Sequence, residues 1–128
     1  MPHDRFGELP RGINHIGLTV PDLDQASQFL AHGLGAAWCY DGLTRDDAPR
    51  EGPEVERQLG LPVGARIVRQ RLMRIGSGPN IELFEIQTPQ RHGPLGLADV
   101  AWNHLSFYCA DTRGSLNPLG PAGPAPPS

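Results

Sequence analysis

The chain has 128 residues, a mass of 13.9 kDa and a formal charge of −3, with a pI near 5.9. That length is one domain's worth, and 38% apolar with 20% charged residues is the balance of a globular protein rather than a disordered one. No apolar run approaches the ~18 residues of a membrane span, and the acidic surplus argues against a nucleic-acid partner.

Two cysteines, Cys39 and Cys109, are too few for a disulfide framework. The first ten residues carry no apolar signal segment, so a cytoplasmic protein with reduced thiols is expected. Both cysteines are expected to be buried small hydrophobes. Sixteen glycines and fourteen prolines are an excess, and it is concentrated at the end. Residues 112–128 are Gly/Pro-rich, and from Gly114 onward they carry no charge. That spacing of prolines forbids a helix or central strand and predicts a disordered tail. Such a composition is also what a shifted reading frame in a GC-rich gene gives.

In chain order, residues 13–20 alternate. Ile16, Leu18 and Val20 form an apolar face, and Ile13, His15, Gly17 and Thr19 lie on the other. This predicts a strand. Asp22 is a good N-cap, with Gln25 three residues on. Leu23, Ala26, Phe29, Leu30 and Leu34 recur at helical spacing, and Gly33 and Gly35 offer stops. The spacing predicts an amphipathic helix over 22–34. A short strand over 36–40 is expected to end at the Asp41-Gly42 turn signal. Residues 43–63 read as a long polar excursion with a helical turn or two at 53–59, begun by Pro53. Strands are expected over 65–75 and 80–86, then a connector over 87–100, then a strand over 102–110.

The chain contains an internal repeat at an offset of 89 residues: Asn14-His15-Ile16-Gly17-Leu18 falls on Asn103-His104-Leu105-Ser106-Phe107. A fixed offset of this kind implies two copies of one supersecondary unit. The first unit runs over 13–87. The second breaks off, because the helix pattern of 23–34 has no counterpart after Asp111.

The Asn-His-Ile-Gly-Leu-Thr-Val-Pro-Asp-Leu start, the Ile81-Glu82-Leu83 strand and the second Asn-His strand together resemble the vicinal oxygen chelate superfamily. That group includes glyoxalase I, methylmalonyl-CoA epimerase, extradiol dioxygenases and antibiotic-resistance proteins. The resemblance covers residues 12–111. It implies an α+β fold built of βαβββ modules, with the first module at 13–87 and only the first strand, 102–110, of a second. It further implies a divalent metal ion (Zn, Ni, Fe, Mn or Co) held by the first and last strands of each module. Carried onto this chain, the ligands are His15, Glu82 and His104, and the strand bearing a fourth is missing.

Imidazole and carboxylate suit such ions, and open coordination positions admit substrate oxygens. The expected activity is of lyase or isomerase type, glyoxalase- or epimerase-like, on a small oxygenated molecule. An extradiol-type dioxygenase and a non-catalytic, resistance-type binding protein are the alternatives. Arg69 and Arg71 share a strand face and are candidates for holding an anionic substrate, against the plainer reading of an exposed sheet face. Glu85 points opposite to Glu82. One complete module with a cavity face and no full partner predicts a two-fold homodimer, in which His15 and Glu82 of each chain surround one point.

Overall fold

The computed structural model describes residues 9–110. Its elements are β1 (His15–Thr19), α1 (Leu23–Leu34), β2 (Ala37–Leu43), β3 (Arg50–Glu51), α2 (Pro53–Leu59), β4 (Arg66–Arg74) and β5 (Asn80–Gln87). The architecture is α+β, a five-stranded sheet with two helices, and matches a single βαβββ-type module. Strand order is β1-β5-β4-β2, with the short β3 alongside β4. Strands β4 and β5 are antiparallel neighbours joined by a tight connection, whereas β1 and β5 pair in parallel, placing His15 opposite Asn80 and Gly17 opposite Glu82. A parallel pair needs a crossover, and everything between β1 and β5 supplies it.

Helix α1 starts and stops where its sequence dictates. The Asp22 carboxylate accepts the Gln25 backbone N–H at 3.0 Å, and Gly35 at φ 68° ends the helix in the left-handed conformation that glycine adopts at least cost. Its apolar stripe of Leu23, Ala26 and Leu30 packs with Val20, Ala36, Met73, Ile81 and Leu83 to form the core. Burial of a Leu-sized side chain contributes about 1.5–3 kcal/mol, so this stripe fixes the helix on the sheet. The core therefore lies on one face. Because Ile81 and Leu83 of β5 point into it, Glu82 between them points the other way. Ile16 packs against the core from β1, which turns His15 and Gly17 to the same outer face as Glu82.

Three expectations are corrected. Strand β2 runs through the Asp41-Gly42 turn signal to Leu43, because register shifts at 38/40 and 41/43 absorb the irregularity and the Asp41 side chain is held by Arg71. Residues 102–110 form no strand. Their alternation is sound, but a strand must satisfy its backbone groups against a neighbour, and no strand among the described residues pairs with them. Trp102 and Tyr108 are fully exposed there. Cys39 and Cys109 are free but exposed, Cys39 on the edge strand β2 and Cys109 in the unpaired segment. The tail expected over 112–128 lies outside the described residues. No helix among the described residues is long and apolar enough to cross a membrane.

Candidate functional site

The outer sheet face brings together two of the residues singled out by sequence. His15 Nε2 lies 3.7 Å from Glu82 Oε1, with the imidazole side chain 45% exposed and the carboxylate 18%. Gly17, the register partner of Glu82, carries no side chain on this face, where a Cβ would meet Phe84 at 3.4 Å. His15 Nδ1 is 2.8 Å from Asn14 Oδ1. A carboxamide oxygen only accepts, so the tautomer that satisfies this contact carries its proton on Nδ1 and offers Nε2 toward Glu82. In that tautomer a cation shared by Nε2 and the carboxylate oxygen would be favourable. Their separation is within the ~4 Å that two donors at about 2.0–2.2 Å from one ion can span. On this observation the pair fits two corners of a metal site. Among the described residues no group of three or more His, Cys, Asp or Glu stands together, so the described part offers at most two candidate ligands and not a full set.

Sequence reasoning missed a third member. Gln70 of β4 donates through Nε2 to Glu82 Oε2 at 2.9 Å. The signal available was parity. Gln70 and Leu72 alternate with the core-side Met73, so they share the outer face with Glu82.

His104 lies elsewhere. It is exposed in the unpaired segment, and its Nδ1 meets Asn103 Oδ1 at 2.6 Å. The Asn-His unit thus repeats in local geometry as well as in sequence, but the described fold does not carry the second copy to the first.

Arg69 and Arg71 face the opposite way, under α1. The exposed-face reading fails for both: Arg69 is 7% exposed, and the Arg71 side chain 17%. Arg71 donates from Nε and Nη2 to the two oxygens of Asp41, at 2.6 and 3.1 Å, and from Nη1 to Ser27 Oγ at 3.0 Å. Hydrogen bonding to Arg71, foremost, holds the Asp41 carboxyl below its ordinary pKa against the opposing effect of burial, and the same bond raises Arg71. Arg69 Nη1 is 3.0 Å from Asp24 Oδ1, but off the direction a hydrogen bond requires, so the contact is ionic. Asp24 also takes Arg45 Nη2 at 2.8 Å. These arginines tie α1 to the sheet. Glu85, on the same face, accepts the Leu23 backbone N–H at 2.9 Å and caps α1 from β5.

A cavity of about 720 Å³ also lies on the helix side, between Leu18, Phe29, Leu30, Leu61 and Leu95, and neither His15 nor Glu82 lines it. It is apolar and shares nothing with the polar cluster on the outer face.

No family model matches the chain. The chain is similar to a 2-epi-5-epi-valiolone epimerase of an Actinomyces species, with 35% identity over 108 residues. The match covers 84% of this chain and 56% of that protein, so the chain spans little more than half the length of the relative.

Proposed function

We propose that this chain is a metal-dependent isomerase of the vicinal oxygen chelate superfamily, an epimerase acting on a small oxygenated substrate of the valiolone kind. The observation that carries the reading is the His15 Nε2–Glu82 Oε1 pair at 3.7 Å on the outer sheet face. The named activity of the similar protein, an epimerase, agrees with it. A divalent ion held by these two residues would polarise a substrate carbonyl and so acidify the adjacent carbon. Asn14, accepting from Nδ1, would keep the His15 ring in the tautomer that presents Nε2. Glu82 supplies the compensating negative charge. Half-buried Leu72 and Phe84 and the ring of Tyr40 are the side chains beside which a substrate would lie.

Two ligands leave the set incomplete, and we place the remainder on a second copy of the chain. In a two-fold homodimer His15 and Glu82 of each copy would meet at one point, giving two imidazoles and two carboxylates, with His104 outside the set.

The test is solvent exchange. Wild-type protein in D2O, supplied in turn with Zn, Ni, Mn and Co, is incubated with 2-epi-5-epi-valiolone and followed by proton NMR. Deuterium should enter at the carbon beside the carbonyl, and His15→Ala should abolish it. A folded wild type that exchanges no proton with any of these ions overturns the reading. Oxygen uptake with iron in its place would mark the ring-cleaving chemistry instead.

A further inference from the structure

We infer that Gln70 is a positioning residue that restricts the Glu82 carboxylate to one free oxygen, selecting small transition-metal ions over calcium. The inference rests on the reading of His15 and Glu82 as a cation site.

Gln70 Nε2 donates to Glu82 Oε2 at 2.9 Å in a partly buried position, while Oε1 faces His15. The two oxygens of one carboxylate therefore have different tasks. The amide must present its nitrogen, since its own oxygen would repel the carboxylate. A donor on Oε2 draws charge to that oxygen and turns the group so that Oε1 alone faces the imidazole. Calcium takes six to eight oxygen ligands and commonly uses both oxygens of a carboxylate. Zinc, cobalt and nickel accept a nitrogen and a single carboxylate oxygen in a smaller shell.

A neighbour leaves room for Gln70. A Cβ on Gly42 of β2 would stand 3.3 Å from Gln70 Cδ and 3.4 Å from its Nε2. Gly42 is not among the glycines with positive φ, so its backbone does not require glycine. The space for Gln70 is what the missing side chain provides. The turn signal in the sequence is thus a groove for the amide that steers Glu82.

The experiment uses the full chain and reads binding rather than turnover. Co2+ is titrated by visible absorption and calorimetry, with Ca2+ as competitor, on wild type, Gln70→Leu, Gln70→Met and Gly42→Val. Outer-shell partners of metal ligands are typically worth 10–100-fold in affinity. The Gln70 variants should lose about tenfold in Co2+ affinity, shift the cobalt absorption bands and let Ca2+ compete more strongly. Gly42→Val should shift all three in the same direction by displacing the amide. Melting in chelator separates these effects from loss of fold, and Gln70→Met serves should the leucine variant not fold. Cobalt binding that depends on His15 yet keeps its affinity, spectrum and calcium discrimination in the Gln70 variants overturns this inference and leaves the site standing. Wild type that binds no Co2+, or binds it equally after His15→Ala, overturns both.

Discussion

Arg71 grips Asp41 with two donors, Nε on Oδ1 and Nη2 on Oδ2, from adjacent strands that the sheet already holds in register. Two parallel bonds fix a planar guanidinium against a planar carboxylate, a geometry that lysine does not reproduce. Because both side chains are largely buried, the pair is more consequential than an exposed one.

Acid should weaken the fold through this pair. The Asp41 carboxyl is lowered from 3.8 on folding, chiefly by its bond to Arg71. Its contribution to stability is complete above the unfolded value and is lost as pH falls through the lower, folded one. Arg71 is raised above its ordinary, already high value, chiefly by the same bond, so its contribution is lost only in strong alkali. Urea midpoints measured from neutral pH downward should fall below about pH 4. Asp41→Asn should lower the midpoint at neutral pH and flatten the acid limb. An acid limb of unchanged steepness in the variant would refute the assignment.

Removing one partner should cost more than removing both. Arg71→Met strands the Asp41 carboxylate and should destabilise by about 3 kcal/mol. Asp41→Leu with Arg71→Met should recover much of that loss, since no charge is then left unpaired. Denaturant unfolding of the three proteins measures the coupling directly, and strict additivity would count against it.

Glu82 and Glu85, three residues apart on one strand, should separate cleanly. Glu85→Ala removes the acceptor at the start of α1 and should cost about 1 kcal/mol with cation binding unchanged. Glu82→Gln should leave stability in chelator nearly intact and weaken the stabilisation that divalent metal confers on wild type. Thermal melts with and without metal read both effects. The reverse pattern would exchange the two roles.

Native mass with metal counting checks the assembly. A dimer carrying one ion is expected, and His104→Ala should retain it. A metal-free monomer at high concentration would dismiss the shared site, and loss of the ion in the His104 variant would return that residue to the ligand set.

Much of the fold was legible because local rules decide it. The Asp22 cap, the Leu23/Ala26/Leu30 stripe and the Gly35 stop need no distant partner. The alternation around Ile81-Glu82-Leu83 gave the orientation of Glu82 by parity alone. What failed depends on neighbours the sequence does not display. The 102–110 segment has strand patterning without a ladder to join. Arg69 and Arg71 look like surface charges until the fold sets them under the helix beside Asp24 of α1 and Asp41 of β2. Parity put Gln70 on the right face, but its bond to Glu82 on the neighbouring strand was not legible. His15 was legible through its repeated Asn-His unit, whereas the departure of His104 from the cluster was not.

The parallel pairing of β1 with β5 joins the first strand of the module to its last. The two halves of the candidate site are therefore the ends of a long loop, the longest closed by any strand pairing among the described residues. On a ribosome, His15 emerges well before Glu82 and has no counterpart until the whole module has been made. An ion bridging them would act as a clasp on a finished fold, slowing the departure of the edge strand β1 and leaving the helix side nearly indifferent to its presence.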